Sequence, residues 1–183
     1  MDNIRFDRIR RELKYEGNRL KFYEDTYEMP DGNKAYYDYI ENRDGAAVLP
    51  VDSDGKLLFV KQYRPALDGE SIELPAGSLE YEDEDFMSCA AREAEEETGM
   101  IPGKLIYVSD VYPLTAFVKE KTKVYIGLDL KKGEIHRDET EFINVVKLTL
   151  DEALNMIETG KITDSKTIIA IFAYNNLIIS KKL

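Results

Sequence analysis

Apolar and polar positions divide this chain into short runs of strand length and three stretches with helical spacing. Between Leu20 and Asn42 the runs LKFYEDTYEM and KAYYDYIE flank the turn Pro30-Asp31-Gly32-Asn33, which predicts an antiparallel hairpin. Ala46 to Val51 is an apolar run of strand length. Asp52-Ser53-Asp54-Gly55 is a turn, and Lys56 to Gln62 gives the next strand. A turn-rich segment with Pro75 and Gly77 then leads into a helix from about Asp85 to Thr98, stopped by Gly99. Lys104 to Val111 and Thr122 to Leu128 read as strands joined by YPLTAFVKEK, and Gly133 to Phe142, GEIHRDETEF, reads as a polar loop. Asn144 to Thr149 is a short strand. Leu150-Asp151 caps a helix with Ala153, Leu154 and Ile157 on its apolar side, ended by Gly160. The last helix runs from about Asp164 to Asn176, with Asp164 as its cap and Ile168, Ile169, Phe172 and Ala173 at core spacing.

The helix from Asp85 to Thr98 organises the rest. Phe86, Ala90 and Ala94 recur every four residues as an apolar stripe, while Glu93, Glu96 and Glu97 stand at i, i+3 and i+4 on one face. Like charges so spaced destabilise a helix by about 0.2 to 0.5 kcal/mol per pair unless a cation sits among them. Arg92, four residues before Glu96 and eight after Glu84, could neutralise part of the cluster and hold the preceding loop to the helix. A divalent metal could supply the rest. Mg2+ takes oxygen from one or two protein carboxylates and completes its shell with water and substrate phosphate, so an open acidic face suits it. The alternative is a solvated acidic face with no ligand.

Composition narrows the partners. The 183 residues, 43% hydrophobic and 33% charged, can bury a full core as one principal domain with a small accessory element. No apolar run approaches the length needed to span a bilayer, and the charged start MDNIRFDRIRREL has no signal-peptide core, which points to a cytoplasmic protein without a membrane partner. A net charge of -11 argues against nucleic-acid binding, and anionic substrates would need a metal to approach such a surface. The single cysteine, Cys89, lies in the small-residue part of the helix and reads as a packing residue. His136, the only histidine, reads as incidental. The hairpin tyrosines, Tyr37 among them, are sheet-face residues or stacking partners for a nucleobase.

The stretch Arg92-Glu93-Ala94-Glu95-Glu96-Glu97-Thr98-Gly99-Met100, with Glu84 seven intervening residues upstream, resembles the second half of the Nudix box. In the first half, six residues separate Gly77 from Glu84 where the family pattern has five. Either the loop carries a one-residue insertion or Asp83 takes the register of Glu84. The flanks Gln62-Tyr63-Arg64 and Glu73-Leu74-Pro75-Ala76-Gly77 resemble the ADP-ribose pyrophosphatase branch of that family. Leu114-Thr115-Ala116 stands where the branch often has Ser-Pro-Gly.

The resemblance implies a Nudix-type α/β/α sandwich with a mixed sheet over residues 43–183, preceded by a small antiparallel sheet at 1–42 that is exchanged in a homodimer. It implies Mg2+, or Mn2+, held by Glu93, Glu96, Glu97, the Ala76 carbonyl and Glu141. Glu139 would be the general base, with Arg92, Glu93 and Glu97 in the catalytic group. Arg64, Glu73, Gly77 and Tyr37, the last by base stacking, would contact the substrate. The implied reaction is hydrolysis of a nucleoside diphosphate sugar, ADP-ribose giving AMP and ribose 5-phosphate. GDP-mannose, another such sugar or NADH is an alternative substrate, and a non-catalytic nucleotide-binding module is a more distant reading.

Overall fold

The structure, a computed structural model, describes residues 5–80, 83–136 and 142–181. In chain order the strands are β1 (Asp7–Glu16), β2 (Lys21–Glu28), β3 (Lys34–Glu41), β4 (Gly45–Pro50), β5 (Leu57–Arg64), β6 (Gly69–Glu73) and β7 (Ala76–Ser78). Helix α1 (Phe86–Thr98) follows, then β8 (Met100–Ile101), β9 (Lys104–Val111), β10 (Val118–Lys119), β11 (Thr122–Leu128), β12 (Lys131–Lys132) and β13 (Asn144–Leu148). Helices α2 (Leu150–Glu158) and α3 (Ser165–Ile179) complete the described elements. The chain forms two compact units, one comprising the described residues up to Asp44 with Tyr112–Lys121, the other Gly45–Val111 with the described residues from Thr122 onward.

The first unit is a sheet in the order β1-β2-β3-β10, antiparallel except for β10, which runs parallel to β3. The predicted hairpin is its middle. Gly32, at φ 82, turns the chain between β2 and β3, and the Met29 N–H bonds to the Asn33 carbonyl at 2.8 Å. The hairpin gains a partner that the sequence pattern did not announce. β1 has no fully buried position, so no apolar alternation marks it. Charge fastens it instead: Arg11 Nε and Nη2 donate to the two oxygens of buried Asp25 at 2.7 and 2.6 Å, and the guanidinium lies 3.7 Å from the Tyr39 ring centre. Such a fork restrains both partners in direction as well as distance.

The second unit is built on β4, whose every residue is buried. A strand buried on both faces reads as an unbroken apolar run, and its alternate residues serve different layers. Ala46 and Val48 pack with Tyr125 and with Cys89, Ala90 and Ala94 of α1. Ala47 and Leu49 pack with Phe59, Val124 and Ile126 and with Ala153, Ala170 and Ile171 of α2 and α3. The sheet β7-β4-β11-β9 therefore has α1 on one face and α2 and α3 on the other, with β13-β5-β6 as a second sheet in the larger core. This is the mixed α/β architecture that the resemblance implied. Asp85 caps α1 by accepting from the Met87 and Ser88 N–H groups, and Gly99 closes it in the left-handed region at φ 71. The second helix starts one residue earlier than the sequence signal suggested: Thr149, not Leu150-Asp151, caps α2, in a reciprocal box with Glu152.

Candidate active site

The site grows from the contact between β7 and α1. β7 pairs with β4 through Ala47 opposite Ala76 and Ala46 opposite Gly77, which sets the Ala76-Gly77 backbone beside the helix that β4 also supports. The Ala76 N–H donates to Glu97 Oε2 at 3.1 Å. One residue on, a Cβ at Gly77 would overlap the carboxylate of Glu93. Glycine at this position is what admits that carboxylate against the strand. Glu93 and Glu97 are both buried residues of α1, an unusual state for glutamate unless its charge is matched.

Arg92 gathers the remaining carboxylates. Its Nε donates to Glu84 Oε1 at 2.9 Å, its Nη1 to Glu93 Oε1 at 2.7 Å and to Glu96 Oε2 at 3.0 Å, and its Nη2 to the Ser78 carbonyl at 3.2 Å. A planar guanidinium with five donors can serve several acceptors at fixed angles, as a lysine ammonium cannot. Burial works against its charge, but the Glu84 and Glu93 contacts more than reverse this and raise its pKa further. Glu84 is lowered in turn: burial alone would raise it, while Arg92 and the Glu80 N–H at 2.7 Å stabilise its ionised form. The register left open in the sequence is thus closed by Glu84, and Asp83 is exposed. The extra residue is absorbed between Gly77 and Glu84 without loss of the Arg92 contact.

A second charged group stands at the end of β5. Arg64 Nε and Nη2 donate to the two oxygens of Glu73 at 2.8 and 2.7 Å, and Glu73 Oε2 also receives Lys166 Nζ at 3.2 Å. Glu73 is buried, which would raise its pKa, yet the Arg64 hydrogen bonds and the charge of Lys166 hold it down at about 2. Arg64 is raised, first by its hydrogen bonds to Glu73, and the Glu97 charge adds to this. The bidentate pair is therefore no loose surface contact, and it lies within electrostatic reach of the acidic face.

Of the residues singled out in the sequence, the structure brings Ala76, Gly77, Arg92, Glu93, Glu96 and Glu97 together and sets Arg64 with Glu73. Tyr37 belongs to the first unit, where its ring meets Tyr27 edge-on with centres 5.5 Å apart. Glu139 and Glu141 lie outside the described residues. His136 is exposed, 3.4 Å from Glu134. The sequence reading missed Lys166, because a lysine in the first turn of a helix carries no signal until its distant partner Glu73 is placed.

The donor set fits a hard divalent cation. Among the described residues no three acidic, histidine or cysteine side chains converge as a ready-made cage. Mg2+ does not require one, since a site with one or two protein carboxylates and room for water and phosphate is its common form. Three carboxylates, Glu84, Glu93 and Glu96, bond to the single guanidinium of Arg92, and Glu97 of the same helix accepts from the Ala76 N–H, so the group keeps an excess of negative charge that a cation would relieve.

Known proteins resemble this chain in sequence and in fold. Over 98% of its own length, the solved "Crystal structure of ADP compounds hydrolase" superposes on 99% of this chain with a TM-score of 0.88 at 16% identity, which establishes the fold. A Bacillus methanolicus protein named methanol dehydrogenase activator is 34% identical over 165 residues, 89% of each chain. The ADP-ribose pyrophosphatase of Bacillus subtilis (strain 168) is 34% identical over 173 residues, 93% of each chain. With the NUDIX domain pattern matched across residues 41–170, these likenesses and the box geometry make the chain a member of the Nudix family.

Proposed function

We propose that the protein hydrolyses the pyrophosphate bond of a nucleoside diphosphate sugar, with ADP-ribose and water giving AMP and ribose 5-phosphate. The observation that carries this reading is the approach of Gly77 to Glu93 under the Arg92 fork, which presents carboxylate oxygens on one helical face beside a strand edge. The full-length likeness to a protein named ADP-ribose pyrophosphatase favours that substrate.

Nudix hydrolases generally use divalent metal ions, and Mg2+ is the ion proposed here, with Mn2+ as a substitute. Glu93, Glu96, Glu97 and the Ala76 carbonyl would hold it, with Glu141 as a further ligand. Bound there, the metal would neutralise the diphosphate and acidify a water. The chain's own residues do the rest. Arg92 holds the carboxylates of Glu93 and Glu96 in place by hydrogen bonds, Arg64 pairs with the anionic substrate, and Gly77 leaves room for Glu93. Glu139 takes the proton of the attacking water as the bond to the leaving phosphate breaks, and Tyr37 stacks on the base. Residues 1–42 form the exchanged dimerisation element of a cytoplasmic homodimer, and residues 43–183 the hydrolase domain.

One observation favours a second substrate, GDP-mannose, another nucleoside diphosphate sugar or NADH: both the Ser78 to Asp83 loop and Leu114-Thr115-Ala116 depart from the branch pattern. Release of the nucleoside monophosphate from a panel of these compounds, with Mg2+ and with chelator, tests both readings. Chelator-sensitive cleavage strongest for ADP-ribose is the expected result. Stronger cleavage of another compound keeps the reaction and changes the substrate, and no cleavage at all overturns the proposal.

A further inference from the structure

Lys166 stands where helix electrostatics disfavours it. It is the second residue of α3, in the turn whose unpaired N–H groups and dipole attract anions and repel cations. Yet its side chain is only 18% exposed, with Nζ 2.7 Å from Asp164 Oδ1 and 3.2 Å from Glu73 Oε2. Two carboxylates therefore hold a cation that the helix end would expel. One of them, Asp164, is the helix cap itself and accepts from both the N–H and the hydroxyl of Thr167. The other, Glu73, is 93 residues away in sequence and is the carboxylate that grips Arg64 at both nitrogens.

The same turn of α3 also fixes the backbone beside Glu73. The Leu74 N–H donates to Thr167 Oγ1 at 2.9 Å, and Thr167 is fully buried. Lys166 thus fastens the side chain of Glu73 while its neighbour fastens the following peptide, three residues before the Gly77 contact with Glu93. Within this group Arg64 and Lys166 balance Glu73 and Asp164, so the shared oxygen Glu73 Oε2 faces a cation on each side. Remove Lys166, and Glu73 keeps a single partner and its torsional freedom. Arg64, whose side chain is 42% exposed, then loses the fixed anchor that sets its direction.

We infer that Lys166 is a positioning residue for substrate binding: through Glu73 it holds the guanidinium of Arg64 in the orientation that meets the anionic substrate. The inference rests on the substrate-facing role of Arg64 given under the proposed function. Neither the box nor its flanks includes Lys166.

Two measurements test it on the full-length protein. The first follows the Arg64 Nε–H resonance by NMR without substrate. In the native protein it should be shifted and protected by the Glu73 bond, become exchange-broadened in Lys166→Met and return in Lys166→Arg. An unchanged resonance in a folded Lys166→Met protein overturns the inference, whatever the substrate proves to be. The second compares kinetics on whichever panel compound the wild type cleaves best. Lys166→Met should raise KM about 10-fold with kcat held within about 3-fold, and Lys166→Arg should restore most of KM, as expected for loss of a charge-assisted anchor used in binding. A fall in melting temperature with KM unchanged, or a fall in kcat alone, also overturns it. Wild-type protein that cleaves nothing removes the proposed function but leaves the resonance test standing.

Discussion

Gly77 and Glu93 share one space: the glutamate carboxylate fills the volume that a side chain at residue 77 would take. The strand is held on one side by β4, where Gly45 in turn leaves room for the Gly77 carbonyl, so the backbone has little freedom to withdraw. A methyl group at Gly77 must push Glu93 away from its position between strand and Arg92. Displacement of a reacting group by about 1 Å can cost roughly 100-fold in rate, and Gly77→Ala should lower kcat/KM by about that factor. Circular dichroism and thermal melting should show a folded protein. Near-normal turnover in that protein would remove Glu93 from the catalytic group.

The register of the loop yields a paired prediction. Glu84 accepts both Arg92 Nε and the Glu80 N–H, whereas Asp83 is exposed. Glu84→Gln should reduce kcat/KM by about 10- to 100-fold, the usual cost of losing a group that orients a metal-site ligand. Asp83→Asn should stay within about 2-fold, as exposed substitutions commonly do. The opposite ranking would mean that Asp83 holds Arg92 in solution.

These contacts show what the sequence could and could not announce. The helix face Glu93, Glu96 and Glu97 is a matter of spacing, so i, i+3 and i+4 were enough to find it, and Arg92 eight residues after Glu84 was enough to suggest a clasp between loop and helix. The β4 run was legible because every residue in it is buried. β1 was not legible: its exposed faces carry no alternation, and what holds it is the Arg11 fork on Asp25, fourteen residues away. β6 and β7 are short and polar and are defined by their partners β5 and β4. Lys166 is the extreme case, since its tie to Arg64 runs through a glutamate 93 residues distant.

Cys89 provides a check on packing near the acidic face. It is fully buried on the α1 side of the sheet, with Sγ 3.6 Å from the Gly77 carbonyl. Burial, reinforced by the negative charge of Glu93, pushes its thiol up to about 12. Only the thiolate reacts, so native protein at pH 8 should be labelled by a thiol reagent about 1,000-fold more slowly than a free cysteine, with full labelling on denaturation. Rapid native labelling would show that this face of α1 opens to solvent.

Glu73 ties stability to pH, and the sign follows from its lowered value. In the unfolded chain it takes up a proton near the ordinary carboxylate value of 4.5, but in the folded protein only near 2. Its contribution is therefore complete above pH 4.5 and is lost as pH falls from there toward 2, because the unfolded state binds the proton first. The separation corresponds to roughly 3 kcal/mol. Glu73→Gln leaves Arg64 and Lys166 without their shared anion, so at pH 7 it should cost about 3 to 5 kcal/mol, as when one member of a buried ion pair is removed. Urea unfolding of both proteins from pH 7 to pH 2.5 should then show the gap between them narrowing only below pH 4.5. A gap that stays constant across that range would mean that Glu73 titrates alike in the folded and unfolded chains and that neither Arg64 nor Lys166 holds it ionised.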